Sequence, residues 1–290
     1  MQTTILITGA TGTVGREVVK ELSVLGEDVR IRAGVHSVVK GENLKRLPGV
    51  ELVEVEFDEP ESLEAAFTHI DKLFLITPFT ENQVAWCKTL VDKAKSSGVK
   101  HIVKLSALGA GSEPGITLGN WHREMEQYIE ESGIPYTFLR PASFMQNFSN
   151  YSGESIKQQG KFYQPTGEGK AGYVDVNDIA KVAVQVLLTE GHENKIYTLT
   201  GPEALSNAEI AQILSEVTNN EVSFVDVPED AARQVMVEQM PGWMADAMLE
   251  LYALQRAGQA STVDNTIEIV TGDKPNTFRD FALTHKSAFC

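Results

Sequence analysis

The sequence predicts an α/β fold, with a doubly wound parallel sheet and a smaller α/β lobe toward the C-terminus. A strand, a glycine loop and a helix follow one another directly at the start of the chain. Short apolar runs then alternate with helix-periodic segments, and this alternation weakens beyond Tyr151. We expect a first domain over residues 1–150 and a lobe over 151–290, with residues of about 173–200 returning to the sheet. The 290 residues are enough for both.

The glycine loop is the motif on which the functional interpretation depends. Ile5–Ile7 is an apolar run, and GATGTVG follows it at residues 9–15 with the spacing G-x-x-G-x-x-G. Gly9 permits a tight turn, Gly12 lets the backbone approach a diphosphate, and Gly15 lets helix and strand pack closely. The N–H groups of the following helix then face the anion. The loop predicts a dinucleotide site formed by Gly9, Thr11, Gly12, Thr13, Val14 and Gly15. An ordinary structural turn is the alternative.

The second predicted strand runs from Asp28 to Val35. In dinucleotide-binding α/β proteins, the residues after this strand distinguish NADP from NAD. An acidic residue there would hold the ribose 2′-hydroxyl, whereas basic residues accept a 2′-phosphate. No Asp or Glu occurs between Val29 and Gly41, while Arg32, His36 and Lys40 do. This pattern favours NADP, although NAD stays open and the three charges could simply be solvated.

Asp58 follows the third predicted strand, Glu51 to Val55. The G-x-x-G-x-x-G loop resembles that of short-chain dehydrogenase/reductases, and this resemblance implies a carboxylate near the adenine amino group at this point. Asp58 could also cap the predicted helix Pro60 to Phe67. Both interpretations can hold together.

The fourth and fifth predicted strands end in loops that we expect to border the ligand. Strand 72–76 leads to Thr77 and Pro78, and strand 100–106 leads from Ser106 into a glycine-rich segment that begins at Ala107. Ligands of parallel α/β sheets bind at the carboxyl ends of the strands. The second loop is therefore predicted to line the reaction pocket.

The remainder of the chain gives less regular signals. Residues 119–131 read as a helix, 160–172 as a substrate-side loop, and 173–180 as a strand that turns into a helix capped by Asn177 or Asp178. Ser206 and Glu209 form a capping-box pattern. Helical periodicity runs from Pro228 to Arg256, and its Met and Trp residues could line an apolar cleft, pack in a core or form a dimer surface.

Composition excludes several classes of function. The net charge is −15 and the basic residues are scattered, which makes nucleic acid an unfavourable partner. No apolar stretch is long enough to cross a bilayer, and no signal peptide is expected. Cys87 and Cys290 have no metal-site or disulfide spacing, so no metal is predicted and a reducing cytoplasm is the expected location.

Several motifs together resemble the NmrA-like branch of atypical short-chain dehydrogenase/reductases. They are GATGTVG at 9–15, LITP at 75–78, LRPASFMQN at 139–147, YVDVNDIA at 173–180, LTGPEALSNAEIA at 199–211 and TGDKPNTFRDF at 271–281. That branch includes NADP-sensing regulators, quinone reductases, triphenylmethane-dye reductases and isoflavone-reductase-like enzymes. The resemblance implies a Rossmann domain, bound NADP(H) and a small substrate lobe.

The resemblance also implies roles for individual residues. Arg32, His36 and Lys40 would lie by the adenosine 2′-phosphate, although the family commonly has Arg at the His36 position. Thr77 and Pro78 would lie near the cofactor ribose and diphosphate. Phe144, Met145 and Asn147 would border the nicotinamide pocket.

The proton-donating pair of ketone-reducing relatives is missing. Those enzymes carry Tyr-x-x-x-Lys, and the equivalent stretch here has Leu118 and His122. A carbonyl reductase or sugar epimerase is therefore disfavoured, because an alkoxide would lack a positioned acid. Quinones, cationic dyes and iminium ions accept hydride without that donor. His122 could donate a proton or contact the nicotinamide ribose, or could be a helix-surface histidine. Glu126 and Tyr128 are expected to pack or to be solvated.

These observations lead to two hypotheses. The first is an NADPH-dependent oxidoreductase that acts on a quinone-like or other conjugated small molecule. The alternative is a non-catalytic NADP(H)-sensing regulator that acts through a protein partner. A homodimer is compatible with both.

Overall fold

The computed structural model describes residues 2–25, 29–113 and 115–290. Seven strands form one sheet in the order β3-β2-β1-β4-β5-β6-β9, and its recorded strand pairs are parallel. This confirms the predicted doubly wound parallel sheet. The strands are β1 (Thr3–Ile7), β2 (Val29–Val35), β3 (Val50–Glu54), β4 (Lys72–Leu75), β5 (His101–Leu105), β6 (Tyr136–Pro141), β7 (Lys161–Gln164), β8 (Lys170–Ala171), β9 (Lys195–Leu199), β10 (Leu205–Ser206) and β11 (Ser223–Asp226).

Helices connect these strands. They are α1 (Thr13–Ser23), α2 (Glu42–Lys45), α3 (Pro60–Ala66), α4 (Gln83–Ser96), α5 (Thr117–Ser132), α6 (Gly153–Gln159), α7 (Val176–Leu188), α8 (Asn207–Thr218), α9 (Glu229–Val237), α10 (Gly242–Arg256), α11 (Thr266–Thr271) and α12 (Phe278–Thr284). No helix within the described residues is both long and apolar enough to span a bilayer.

The first of two compact units comprises Met1–Gly115, Gly119–Arg140 and Ile179–Tyr197. Its core is fully buried and includes Leu6, Phe67, Leu73, Leu90 and Phe138. The strand order reverses on either side of β1, so β1 and β4 are neighbours although they are not consecutive. A crevice at the carboxyl ends of the strands beside such a reversal is where open α/β sheets bind ligands.

The second unit comprises Ile116–Leu118, Pro141–Asp178 and Thr198–Cys290. It contains two small sheets, in which β7 pairs with β11 in parallel and β8 pairs with β10 antiparallel. An aromatic cluster forms its core, with Phe148 in edge-to-face contact with Phe162, Tyr173 and Phe278.

The structure corrects two details of the sequence interpretation in this part of the chain. The segment 160–172 is not a simple loop, because β7 and β8 lie in it and pair with distant strands. Helix α7 begins at Val176, so the predicted N-caps Asn177 and Asp178 lie inside it. The carboxylate of Asp175 instead accepts a 2.9 Å hydrogen bond from the N–H of Asn177.

The helical pattern predicted for residues 228–256 is interrupted at Pro241. Helix α9 ends at Val237, buries none of its residues, and is followed by α10 from Gly242. Proline at the start of α10 has no N–H to continue the preceding helix. The capping box of Ser206 and Glu209 is confirmed at the start of α8.

A buried histidine of β5 makes folding sensitive to acid. His101 is 3% exposed, and its Nε2 lies 2.9 Å from Thr137 Oγ1. Burial lowers its pKa to about 4, and nearby Lys72 acts in the same direction. In the unfolded chain the pKa of histidine is near 6.5. Below that pH the unfolded chain binds a proton that the folded protein excludes, so stability falls as the pH decreases from about 6.5 to about 4.

We predict that replacing His101 with methionine removes this contribution. The loss of stability between pH 7 and pH 5 should be smaller in the variant by about 2 kcal/mol, as equilibrium urea unfolding at each pH will measure. His69→Asn is the matched control, because His69 is exposed and its backbone φ of 57° suits asparagine. Equal pH dependence in wild type and His101→Met would contradict the prediction.

Candidate cofactor and proton-donor site

The glycine loop after β1 has the geometry of a diphosphate cradle. Gly9 adopts φ 61°, in the left-handed region that favours glycine. A Cβ atom on Gly15 would lie 2.3 Å from the carbonyl oxygen of Gly9, and one on Gly12 would lie 3.1 Å from it. The turn therefore needs glycine at 15 for close packing, and glycine at 12 keeps its surface open.

Helix α1 begins directly after this loop. Its N-cap is Gly12 in an extended conformation, with no side chain to satisfy the first N–H groups, and its first turn holds no acidic residue. Thr11 and Gly12 are exposed, Thr13 is partly exposed, and Val14 and Gly15 are buried. The loop therefore fits a bound dinucleotide diphosphate, which would be held by backbone N–H groups and the positive end of the helix dipole.

Arg32 lies within β2 and has several partners in the protein itself. Its Nη2 lies 3.1 Å from Glu51 Oε1, and its Nη1 donates to the carbonyl oxygens of Ala65, Ala66 and Thr68. The hydrogen bond from Arg32 lowers the pKa of the Glu51 carboxyl. The guanidinium thus joins β3 to the end of α3, and its contact with a 2′-phosphate stays a prediction.

The other two basic residues remain near the surface. The imidazole of His36 is exposed and its Nδ1 contacts the carboxylate of Glu56, while Lys40 is exposed. Glu56 thus adds an acidic group that the sequence interpretation did not place beside His36. Contact of His36 and Lys40 with a 2′-phosphate stays a prediction.

Asp58 follows β3 as expected but does not cap α3. The N-cap of α3 is Glu59, without a side-chain capping bond. One carboxylate oxygen of Asp58 instead accepts a 3.0 Å hydrogen bond from Trp86 Nε1. The Trp86 ring stacks on Phe57 at a centroid distance of 5.0 Å. Asp58 therefore fixes an aromatic pair, and its contact with adenine stays a prediction.

The exits of β1 and β4 are joined by side-chain hydrogen bonds. Thr8 Oγ1 donates to the carbonyl of Ile76 and accepts from its N–H, both at 2.8 Å. Thr77 Oγ1 lies 3.8 Å from Met125 Sδ, and Pro78 is exposed. These contacts fix the predicted cofactor-side residues at the carboxyl edge of the sheet.

A buried carboxylate at the exits of β5 and β6 was missed from the sequence. Glu126 is fully buried and accepts hydrogen bonds from Ser106 Oγ at 2.6 Å and from Arg140 Nε at 2.9 Å. Arg140 Nη2 binds its other oxygen at 2.5 Å, and Arg123 Nη1 lies 3.2 Å from the same oxygen. Ser106, predicted to contact cofactor, is thus oriented by Glu126. Ala107 next to it is partly exposed.

His122 has a partner that the sequence interpretation also missed. Lys104 on β5 is fully buried, and its Nζ lies 3.2 Å from His122 Nδ1 and 2.8 Å from the carbonyl oxygen of Leu105. Burial lowers the pKa of His122 well below its ordinary value, and the positive charges of Lys104 and Arg140 add to this effect. Burial also lowers the pKa of Lys104. His122 is therefore neutral at physiological pH and is not a simple surface histidine.

The predicted pocket residues of the second unit differ among themselves. Phe144 and Asn147 are partly exposed, whereas Met145 is 1% exposed and belongs to the aromatic core. Met145 thus packs in the core of the second unit, and its contact with the nicotinamide pocket stays a prediction. The intervening Gln146 donates to Asp175 Oδ1 at 2.7 Å and accepts from the N–H of Val176.

Asn276 extends this hydrogen-bond network within the second unit. Its Nδ2 donates to Asp175 at 3.1 Å, and its N–H donates to Asp178 at 2.7 Å. The network joins the three motifs that contain Gln146, Asp175 and Asn276. Much of the motif pattern in this unit therefore serves folding.

The sheet order and the glycine loop together define a dinucleotide-binding protein of the short-chain dehydrogenase/reductase type. The chain belongs to the NmrA-like family, whose sequence model matches residues 1–282. It is 41% identical over 286 residues to the NAD(P)H azoreductase of Xenophilus azovorans, a match that covers 98% of this chain and 99% of that protein.

Two solved structures have the same fold over nearly the full length. One is Citrobacter sp. triphenylmethane reductase complexed with NADP(H), with a TM-score of 0.86 and 31% identity over 98% of this chain and 99% of that chain. The other is an NADPH-dependent quinone oxidoreductase of Escherichia coli complexed with NADPH, with a TM-score of 0.87 and 26% identity over the same shares.

Proposed function

We propose that this protein transfers a hydride from NADPH to a conjugated small-molecule electrophile, such as an azo compound, a quinone or a cationic dye. That the chain is an NAD(P)H-dependent oxidoreductase follows from its full-length likeness to enzymes with those cofactors in their names. The finer proposal rests on one observation. A complete diphosphate cradle occurs in a chain that has Leu118 and His122 where ketone reductases carry their tyrosine and lysine.

The chain's own residues supply binding and orientation. The backbone of residues 9–15 would hold the diphosphate, while His36 and Lys40 would favour the 2′-phosphate of NADP over NAD. When bound, the nicotinamide supplies the hydride, which is chemistry that belongs to the cofactor. Glu126 fixes Ser106 and Arg140 at the carboxyl edge of the sheet, so this edge is rigid before the acceptor arrives.

The proposal predicts a characteristic range of acceptors. NADPH absorbance should fall with azo dyes, quinones and cationic triphenylmethane dyes, and should stay constant with simple ketones and sugar nucleotides. NADPH should be preferred to NADH. Gly12→Val is the inactive control, because its branched side chain would fill the surface that the diphosphate needs.

Two outcomes would contradict the proposal. Reduction of ketones but not of the conjugated acceptors would show that an alkoxide is protonated after all. Tight NADPH binding without turnover of any acceptor would instead favour the regulatory alternative, in which the cofactor is sensed and a protein partner is bound.

A further inference from the structure

Lys104 is fully buried, and its Nζ contacts an imidazole nitrogen of His122. Among the described residues, no other fully buried lysine has such a contact. The surroundings of Lys104 include the buried Cys87 of α4, which lies near it and belongs to the apolar core of the first unit. The lysine side chain reaches two acceptors, the carbonyl oxygen of Leu105 and His122 Nδ1. A buried ammonium is costly unless its hydrogens are used, which indicates a role beyond packing.

The hydrogen-bond pattern determines the form of the histidine. With Lys104 as an ammonium, which has only hydrogens to donate, His122 Nδ1 is the acceptor and its ring hydrogen lies on Nε2. His122 is partly exposed while Lys104 is not. The His122 imidazole thus lies between the buried amine of Lys104 and the solvent-accessible surface of the first unit.

We propose that Lys104 and His122 form a proton relay that serves conjugated acceptors, such as azo compounds, whose reduced form is an anion. Lys104 acts through His122 and is a positioning residue, whereas His122 Nε2 meets the acceptor. The inference rests on the proposed function, because an anion forms only where hydride has been delivered.

For an azo acceptor, the relay supplies the one proton that must accompany the hydride. Hydride from NADPH adds to one nitrogen, the π electron pair of the N=N bond moves to the other, and the cofactor leaves as NADP⁺. The second nitrogen takes the proton of His122 Nε2 while Nδ1 takes one from Lys104, which gives the hydrazo product and a neutral lysine. Water then returns a proton through His122 to Lys104.

The charges around the pair suit this transfer. Lys104 on β5 and Arg140 on β6 face His122 and keep it neutral, while Cys87 on α4 and Glu126 on α5 lie near Lys104. Burial lowers the pKa of the Lys104 ammonium, which makes it a better acid. A neutral imidazole alone would have to become an imidazolate, and the lysine removes that requirement.

Cationic triphenylmethane dyes provide a sharp comparison. Such a dye becomes neutral when it accepts hydride, so its reduction needs no proton. Lys104→Met and His122→Gln should each lower kcat/KM for an azo dye by about 10²-fold. The same variants should change kcat/KM for the cationic dye by no more than about threefold. General acid catalysis contributes only to the first reaction.

Lys72→Met is the matched control, since Lys72 is also a strand lysine whose Nζ donates to a backbone carbonyl, that of Leu187 at 2.7 Å, and it is partly buried. It should leave both reactions unchanged. Equal losses for both dyes in Lys104→Met would show a merely structural role and overturn the relay. No loss for the azo dye would also overturn it.

Nitrogen NMR of histidine-labelled protein gives a readout that does not depend on turnover. The chain has six histidines, and the His122 signals are those lost in His122→Gln. Wild-type His122 should carry its hydrogen on Nε2 and should not titrate near pH 6.5. Lys104→Met removes one of the two charges that lower the pKa of His122 and should raise that pKa, while burial and Arg140 still hold it below its ordinary value. A hydrogen on Nδ1 in the wild type would overturn the relay. Absence of all turnover with the expected spectrum would instead contradict the proposed function.

Discussion

Replacing Gly15 with alanine is expected to weaken NADPH binding by at least about 10²-fold, a loss of about 2.7 kcal/mol. The added Cβ would lie 2.3 Å from the carbonyl oxygen of Gly9 and 2.9 Å from its carbonyl carbon. Both atoms belong to the backbone, so the clash cannot be relieved by a side-chain rotation. The loop must move away from α1, which displaces the N–H groups that would hold the diphosphate.

The measurement is NADPH affinity by fluorescence titration or calorimetry, with circular dichroism and thermal unfolding to establish that the variant is folded. Gly242→Ala is the control, because a Cβ there meets nothing closer than the end of Arg233 at 3.9 Å. A folded Gly15→Ala protein with wild-type affinity would show that the diphosphate is held elsewhere.

The glycine loop could be predicted because its requirements are local. Gly9, Gly12 and Gly15 act on one another within a single turn, and the strand before them and the helix after them are adjacent in sequence. The capping box at Ser206 was predictable for the same reason. Alternation of short apolar runs and helical segments likewise predicted the sheet, since each element carries its own periodicity.

Long-range partners explain what the sequence could not supply. From the sequence alone, Arg32 is most simply interpreted as a phosphate ligand. Its actual partners include Glu51 and Ala65, which lie 19 and 33 residues away and could not be assigned to it from the sequence. Lys104 reads as an ordinary strand residue, and only the packing of α5 on β5 brings it to His122. Strand periodicity gives no reason to place a lysine inside the core. The lysine within a mostly apolar strand was therefore the one indication of this pair in the sequence.

Glu126 gave a similarly weak signal. A glutamate within the predicted helix 119–131 is most simply placed on the solvated face, yet its side chain is fully buried. Its partners come from β6, from the loop after β5 and from its own helix, and Arg140 contributes two of the hydrogen bonds. The arginine in the LRP motif was the one available indication, because a charged residue at a buried strand end needs a counterion.

Replacing Arg140 with methionine is expected to destabilise the protein by about 3 kcal/mol or more, because a buried carboxylate then loses its bidentate partner. Glu126 has no exposed surface, so water cannot take over the hydrogen bonds of the missing guanidinium. Arg123 and Ser106 remain, but Arg123 also binds Glu130 and contacts Glu126 at only 3.2 Å. Equilibrium urea unfolding of the apo protein measures the loss.

A second substitution separates the charge from the packing. In the double variant Glu126→Met/Arg140→Met both charges are absent, and most of the lost stability should return because two apolar side chains replace an ion pair of similar volume. Arg279→Met is the surface control, since the ion pair of Arg279 with Glu216 is exposed and its loss should change the stability much less than Arg140→Met does. If the double variant were less stable than Arg140→Met alone, the destabilisation would come from lost packing and not from the unpaired carboxylate.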